Sequence, residues 1–412
     1  MVSRAAARMA AATPAIAAAH FQAEADPYHP SHNPDGFINL GTAENRLLWD
    51  LLEPAITAPR RRTAADTHYG LPHGDPGLRS AIAGVLTRRW RGPVDPDDLV
   101  VAAGGTAALD IAATTLCDPG DVIIVPAPYY SAFAEDLTAR SGARIMPVPM
   151  SESDGFALDA DLLARAVVRL RRDGHTVRAV AISSPANPHG LVHTPESLRD
   201  LLRMTTRHDL DLISDEVYAH CAFGPRPFRS ALDPSIVDGF DAERVHVVWG
   251  FAKDFGLSGL KVGVLRAGSA IRPAARALAY FATVSADTQA LLRDLLTDDA
   301  LVARLVTENN RRLAASYEHL AARLTTHRIP HLPATAGFSI WTDLRTTLPE
   351  PTVDAETALW QAILRAKVNV LPGTSFGAAE PGWFRVCFAQ APDQVGLGVD
   401  RLAAAVAPVV TR

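Results

Sequence analysis

The sequence is poor in cysteine, in dense runs of one charge and in long apolar stretches. Its three cysteines, Cys117, Cys221 and Cys387, lie far apart and form no Cys-x-x-Cys pair, which argues against a disulfide framework and a zinc site. The net charge is −5, and no Lys/Arg run is dense enough to indicate nucleic-acid binding. No apolar stretch approaches the roughly 18 residues that a membrane span requires. These absences predict a cytoplasmic protein that holds no metal and contacts neither nucleic acid nor membrane.

The middle of the chain has the pattern of an α/β sheet. With 412 residues the chain exceeds what one compact core usually accommodates, so we expect a large and a smaller domain. From about residue 98 to 265, short Val/Ile-rich runs alternate with helical patterns, which is typical of a mainly parallel sheet covered on both faces. The seven candidate strands are 99–104, 121–127, 143–150, 178–184, 210–215, 244–250 and 262–268. We therefore predict a three-layer αβα large domain on a mainly parallel seven-stranded sheet.

After residue 270 the pattern changes, and long helical stretches lead to an alternating segment at 337–344 and a final helix–strand–helix set. This predicts a smaller α+β C-terminal domain, to which the N-terminal segment returns. The predicted boundaries are 1–50 for the N-terminal segment, 51–290 for the large domain and 291–412 for the small domain. Residues 2–21 are rich in Ala and Arg and lack acids, which fits either a transit peptide or an Ala-rich leading helix.

Residues with chemical potential follow the predicted strands directly, where sheets of this kind bind ligands. Lys253 comes after strand 244–250 among small residues, which leave room for a bulky cofactor beside an amine of lowered pKa. A solvated loop lysine is the alternative. The Gly pair in 102–116 opens a helix and could present backbone N–H groups to a phosphate, or could be a tight strand–helix turn. It matches neither the nucleotide-loop spacing nor the dinucleotide fingerprint.

Further polar and aromatic candidates lie at other strand ends. Tyr130 could stack on an aromatic ring, although adjacent tyrosines are often core and surface neighbours. Asn187 and Tyr218 offer an amide and a phenol, and Asp215 could hold the proton of a cofactor ring nitrogen or make a structural hydrogen bond. Arg385 lies in an apolar alternating segment and needs an anion, which could be a substrate carboxylate or an internal acid.

Taken in order, these motifs resemble the fold-type I pyridoxal-phosphate (PLP) enzymes of the aspartate aminotransferase superfamily (class I/II). Within it the chain looks most like the 1-aminocyclopropane-1-carboxylate (ACC) synthase-like branch. The supporting segments are 33–47, 126–137, 183–190, 211–223, 253–263 and 380–389. The resemblance implies PLP as the cofactor, an amino-acid substrate and a homodimer with shared active sites, and it assigns residues 51–290 to PLP binding.

The resemblance also implies a role for each candidate. Lys253 forms the Schiff base with the cofactor and acts as the base at the substrate Cα, and Asp215 pairs with the ring nitrogen. Arg385 binds the substrate α-carboxylate, Glu44 lies near the substrate, and Tyr69 reaches the partner's phosphate across the dimer. The other implied cofactor-binding residues are Gly105, Thr106, Ala107 and Lys261 at the phosphate, Tyr130 stacked on the ring, and Asn187 and Tyr218 at the ring oxygen.

The sequence departs from the superfamily pattern around the lysine. Gly250 and Ala252 stand where two serines are usual, Lys261 stands for an arginine, and Ser183 replaces an asparagine. A lysine supplies a point charge without the bidentate fork of arginine. We therefore expect a looser or reshaped phosphate cup, with room for a larger substrate.

Three functions are compatible with these residues. The first is a lyase or γ-substitution enzyme that deprotonates S-adenosylmethionine (SAM) at Cα and releases methylthioadenosine, as the ACC synthase-like resemblance implies. Some relatives of that branch use SAM to build a ring on a second substrate, including a nicotinamide nucleotide. The second is a class I/II aminotransferase, and the third is a catalytically silent PLP-fold binding protein.

Overall fold

The computed structural model describes residues 14–59 and 63–407, together with Val2, Ala7 and Ala10. The strands are β1 (Ile38–Asn39), β2 (Leu99–Ala102), β3 (Val122–Ala127), β4 (Arg144–Pro149), β5 (Val177–Ser183), β6 (Asp211–Asp215), β7 (Val245–Gly250), β8 (Gly263–Arg266), β9 (His331–Leu332), β10 (Ser339–Asp343), β11 (Val368–Asn369), β12 (Leu371–Pro372) and β13 (Trp383–Cys387). The α-helices are α1 (Ala15–Ala25), α2 (Trp49–Thr57), α3 (Pro76–Trp90), α4 (Gly105–Leu116), α5 (Phe133–Asp136), α6 (Ala160–Arg172), α7 (Pro195–Arg207), α8 (Pro234–Val237), α9 (Phe251–Asp254), α10 (Arg272–Leu278), α11 (Ala286–Thr297), α12 (Asp299–Thr326), α13 (Val353–Arg365) and α14 (Pro392–Val406). Of the predicted leading helix, residues 3–6, 8–9 and 11–13 lie outside the described residues.

The seven predicted strands form one seven-stranded sheet in the order β2-β8-β7-β6-β5-β3-β4. Neighbouring strands run parallel except β8, which is antiparallel to both β2 and β7. Along β3, Val122 and Ile124 pack into one apolar cluster and Ile123 and Val125 into another. Both faces of the sheet are thus covered, which explains the continuous Val/Ile runs.

Helices α6 and α7 cover one face of this sheet and α4 covers the other. Each of the first two begins with a side-chain cap: Asp159 accepts the N–H of Leu162 at 2.9 Å, and Thr194 accepts the N–H of Ser197 at 3.0 Å. Helix α4, by contrast, begins after Gly104 without a side-chain cap. This difference matters for the site, because the uncapped end lies at the carboxyl edge of the sheet.

The register of the sheet brings the ends of its central strands together. Ser183 at the end of β5 is paired with Asp215 at the end of β6, and Gly250 at the end of β7 is paired with Gly263. A Cβ on Gly263 would stand 2.4 Å from the carbonyl carbon of Gly104. The backbone at the start of β8 therefore passes so close to the start of α4 that only glycine fits at this position.

A second, antiparallel sheet of order β12-β13-β10-β9 follows in the C-terminal part. Strand β1 pairs in parallel with β11, and α1 packs into the same apolar cluster as α12 and α14, so the N-terminal segment does return to this part. The fold is therefore α/β as expected, while the boundaries at 50/51 and 290/291 stay a prediction. Within the described ranges, none of the helices combines the length and apolarity needed to cross a bilayer.

Candidate active site

The carboxyl edge of the seven-stranded sheet holds two neighbouring cavities. The predicted residues that line the first are Gly105, Thr106, Tyr130, Asn187, Asp215, Tyr218, Lys253 and Lys261. The second, of about 500 Å³, is lined by Tyr130, Tyr218, Lys253 and Arg385 together with α1 and the loop at 41–43. Because Tyr130, Tyr218 and Lys253 line both cavities, the two form one continuous candidate site.

Lys253 lies in α9, the single turn that follows β7. Its Nζ donates a hydrogen bond to the carbonyl oxygen of Ala43. Burial, assisted by the positive charge of Arg385, lowers the pKa of the Lys253 amine. Lys253 is thus a partly buried lysine whose amine has reduced basicity and a backbone partner, and the solvated loop lysine is excluded.

The start of α4 is an anion site by its backbone geometry. Gly104 has φ +97°, a conformation that favours glycine, and the N–H groups of Gly105, Thr106 and Ala107 have no acceptor within the helix. Ala107 shares this first turn but does not line the cavity. Lys261 Nζ is 3.9 Å from the point where a Cβ on Gly104 would stand. A helix N-terminus and an ammonium group therefore converge on one end of the cavity.

Two polar residues at this end were not predicted. Thr106 Oγ1 donates to Asp136 Oδ2 at 3.2 Å, and burial raises the pKa of Asp136 to about 7. Ser258 lines the cavity beside Gly250 and Ala252, which have no hydroxyl to offer. Asp136 lies in the segment 126–137 that carries the family resemblance, so a closer reading of that segment could have identified it as a site residue. Ser258 could have been identified in the same way, because it lies in the segment 253–263 that also supports the resemblance.

Asp215 is buried at the end of β6, where its Oδ1 accepts the N–H of Val217 at 3.4 Å. Burial raises the pKa of Asp215 to about 7, since removing a carboxylate from water penalises its charged form. A cation placed beside Asp215 in the cavity would restore the charged carboxylate. This environment suits a protonated ring nitrogen.

Arg385 on β13 is buried, and its hydrogen-bond partners are neutral. Nη1 donates to Asn187 Oδ1 at 3.1 Å and Nη2 donates to the Gly41 carbonyl at 2.5 Å, while Nε has no hydrogen-bond partner among the described residues. The guanidinium is also 4.8 Å from the centre of the Phe376 ring. No carboxylate of the described part of the chain pairs with Arg385, so an internal ion pair is excluded and its charge is available to a bound anion.

Glu44 lies next to this site. It accepts hydrogen bonds from Ser258 Oγ at 2.5 Å and from Arg46 Nε at 2.9 Å. Burial opposes the ionisation of Glu44, but these hydrogen bonds and the charges of Arg46 and Lys253 outweigh it and lower its pKa. The carboxylate is therefore charged at neutral pH and acts electrostatically on the Lys253 amine, although Glu44 itself lines neither cavity.

Tyr69 is not brought to the cavity. It is fully exposed in a wide groove that it lines with Leu71, Tyr280 and Val284. Tyr280 and the neighbouring Phe281 are also largely exposed. The predicted phosphate contact of Tyr69 cannot be made within its own chain.

Comparison with known proteins agrees with this architecture. The family model of class I and II aminotransferases matches residues 35–402. ACC synthase of Nicotiana tabacum is 36% identical over 387 residues, covering 90% of this chain and 78% of that protein. ACC synthase 6 of Arabidopsis thaliana is 35% identical and covers 89% and 77%.

Solved structures show the same fold. The aspartate aminotransferase of Thermus thermophilus with maleate superposes with a TM-score of 0.82 at 24% identity, covering 98% of this chain and 99% of that one. The aromatic aminotransferase of Pyrococcus horikoshii gives a TM-score of 0.76 at 26% identity, covering 89% and 95%. The chain therefore belongs to the class I and II aminotransferase family, in its ACC synthase-like branch, and is a PLP-dependent enzyme that acts on an amino acid.

Proposed function

We propose that this enzyme uses SAM, removes its Cα proton and releases methylthioadenosine. The observation that carries the proposal is the carboxylate of Glu44, which is hydrogen-bonded to Ser258 in the wall of the first cavity and whose charge acts on the Lys253 amine, in a chain whose relatives include ACC synthases. A sulfonium is a cation, so a fixed carboxylate near the reacting amine favours it over a substrate with an acidic side chain.

The residues of the first cavity fit PLP by the chemistry of their donors and acceptors. The start of α4 and Lys261 would bind the phosphate, with Gly105, Thr106 and Ala107 as the N–H donors. Asp215 would hold the proton of the ring nitrogen. The ring oxygen would receive hydrogen bonds from Tyr218 and Asn187, and Tyr130 would stack on the ring. Lys253 would attach the cofactor.

When bound, PLP supplies an electron sink for negative charge at the substrate Cα. The chain's own residues bind and orient the substrate and move its proton. Arg385 holds the α-carboxylate in two hydrogen bonds, and the Lys253 amine takes the proton from Cα. In the lyase reaction the Cα electron pair forms a bond to Cγ while the Cγ–S bond breaks. In γ-substitution a Cβ proton is also removed and the Cγ–S bond breaks as a Cβ–Cγ double bond forms. A second substrate, such as a nicotinamide nucleotide, then bonds to Cγ while a proton returns to Cβ.

The composition of the second cavity also supports SAM. Its volume of about 500 Å³ is within the usual range of small-molecule sites. The cationic side chains that line it are Lys253 and Arg385. Once the substrate α-carboxylate and the cofactor are bound, neither is available to bind a side-chain carboxylate, so an acidic amino acid is disfavoured. Tyr129, Ile16 and Leu371 provide apolar surface for a large side chain.

We further propose a homodimer with shared active sites, in which Tyr69 reaches the partner's phosphate. The exposed Tyr69, Tyr280 and Phe281 would be covered by the second copy, because such clusters of large apolar side chains mark interaction surfaces. The three free cysteines favour a cytoplasmic location.

The experiment is incubation of purified enzyme with PLP and SAM, followed by mass spectrometry for methylthioadenosine and its amino-acid counterpart. We expect both products without any 2-oxo acid, and neither product with the Lys253→Ala variant. Amino transfer that requires a 2-oxo acid, without methylthioadenosine, would instead identify an aminotransferase, the activity of the two solved neighbours. A visible PLP band that no amino acid perturbs would indicate a silent binding protein.

A further inference from the structure

The carboxylate of Asp254 joins the segment that carries Lys253 to the segment that carries Tyr218. We propose that Asp254 is a positioning residue, which fixes the Lys253 amine relative to Tyr218 and Asp215. The inference rests on the proposed role of Lys253 as the cofactor-bearing amine.

Asp254 is fully buried and its two carboxylate oxygens accept hydrogen bonds from four donors. Oδ2 accepts from the ring Nδ1 of His220 at 2.7 Å and from the indole of Trp249 at 2.8 Å. Oδ1 accepts from the backbone N–H of His220 at 2.9 Å and from Cys221 Sγ at 3.2 Å. A carboxylate satisfied in this way is held in one orientation.

The donors come from two parts of the site. Trp249 belongs to β7, which leads into the turn with Lys253, whereas His220 and Cys221 follow Tyr218 in the loop after β6. Asp254 itself is the residue next to Lys253. Its side chain therefore ties the turn that bears the amine to the loop that bears the phenol.

A second set of contacts reaches the same turn from two further segments of the chain. Asn309 Nδ2 donates to the carbonyl of Asp254 at 3.4 Å, and Asn45 Nδ2 donates to the carbonyl of Lys253 at 3.4 Å. Asn45 and Asn309 are joined to each other at 2.8 Å. Asn45 neighbours Glu44 in sequence, so the turn is also held to the segment with the substrate-side acid.

This arrangement has a consequence for the reaction. Reacting groups need placement within about 0.5 Å, and a 1 Å error can reduce the rate on the order of 100-fold. Arg385 and Asn187 lie on other elements and share no hydrogen bond with Asp254 in the described part of the chain, so we expect substrate carboxylate binding not to depend on this tie. Loss of the tie should therefore lower kcat while leaving KM nearly unchanged.

The test compares Asp254→Asn with Asp233→Asn in the PLP-bound enzyme. Asp233 is a matched control, since it is equally buried and accepts from Ser235 and Arg229 but lies outside both cavities. For Asp254→Asn we expect kcat with SAM to fall about 30- to 100-fold with KM within about threefold. The pH midpoint of the visible PLP band should also move by about 0.5 unit or more, because the amine is displaced relative to Asp215. Asp233→Asn should change neither.

If Asp254→Asn does not fold, two variants of His220 provide an independent test of the proposal. His220→Leu removes one donor to Asp254, and His220→Asn returns an N–H close to the position of Nδ1. We expect the first to shift the pH midpoint and the second to bring it back toward wild type. The proposal would be overturned if Asp254→Asn and His220→Leu both kept the wild-type pH midpoint of the visible band. It would also be overturned if Asp254→Asn and Asp233→Asn changed kcat and the pH midpoint equally. The titration needs no amino-acid substrate, so a failure of the SAM proposal would not affect it.

Discussion

Arg385 donates a hydrogen bond of 3.1 Å to the side-chain oxygen of Asn187, a residue 198 positions away in the sequence. The bond connects β13 of the C-terminal sheet to the loop after β5 of the seven-stranded sheet. It also sets the orientation of the Asn187 amide, since its oxygen is engaged and its NH₂ group remains for the cofactor. The groups proposed for the substrate carboxylate and for the cofactor oxygen are therefore coupled.

Arg385→Ala should mainly weaken substrate binding. Loss of a buried charge-assisted pair costs about 2–5 kcal/mol, so KM should rise at least tenfold. Steady-state kinetics measures this, with Arg401→Ala as the control because Arg401 donates to the backbone carbonyls of Gly36 and Pro34 outside the cavities. An unchanged KM would show that another residue holds the carboxylate.

Lys253→Ala should abolish turnover and leave the fold intact, because the residue supplies the cofactor attachment and the base. The visible band of the attached cofactor should disappear while the far-ultraviolet circular dichroism and the melting transition stay close to wild type. Lys367→Ala, which removes a lysine paired with Asp26 at 2.7 Å on the surface, should retain both band and activity. Residual turnover by Lys253→Ala would refute the central assignment.

PLP affinity should fall as the pH rises from 6 to 8, because of Asp136. Burial raises its pKa to about 7, and the charges of Glu135 and Asp110 act in the same direction while Thr106 and Lys261 oppose them. Asp136 is therefore largely neutral at pH 6 and charged at pH 8, where it repels the phosphate. Between pH 6 and pH 8 we expect the PLP affinity of the wild-type enzyme to decrease on the order of 3- to 10-fold more than the affinity of Asp136→Asn does.

Equilibrium dialysis of PLP at both pH values measures this difference. Asp233→Asn serves as the control, since Asp233 is a buried carboxylate that lines neither cavity and is not among the groups that shift the pKa of Asp136. If wild type and Asp136→Asn showed the same pH dependence, Asp136 would have no part in phosphate binding.

Lys261→Arg should tighten PLP binding. Arginine restores a planar fork that binds phosphate in two hydrogen bonds, where lysine supplies a point charge, so we expect roughly a tenfold lower dissociation constant. The dissociation constant can be measured by fluorescence titration. An affinity of the wild-type enzyme equal to that of ordinary aminotransferases would contradict the looser phosphate cup.

Mixing two inactive variants should restore activity if Tyr69 acts across a dimer. When Tyr69→Ala and Lys253→Ala are co-refolded, about half of the dimers are hybrids with one complete site, which predicts about a quarter of wild-type activity. Lys253→Ala mixed with Asp215→Ala should restore nothing, because both residues belong to one chain's site. Absence of restoration in the first mixture would argue that Tyr69 does not serve the partner's site.

The sequence by itself determined the strands of the large sheet and their order along the chain. Continuous Val/Ile runs predicted all seven strands of the large sheet, because a strand buried on both faces leaves a local apolar pattern. It also predicted Lys253, Asp215 and Asn187 at the ends of these strands, since carboxyl ends of parallel strands meet at one edge, and Arg385 in a separate alternating segment.

The tertiary structure decided which of these residues meet and what else joins them. The antiparallel direction of β8, the neutral partners of Arg385 and the outward position of Tyr69 have no local signature. The bond between Glu44 and Ser258 spans 214 positions, and the four donors to Asp254 come from two separate segments. Such contacts arise from strand register and from the packing of distant segments, whereas a sequence pattern reports only the neighbours along the chain.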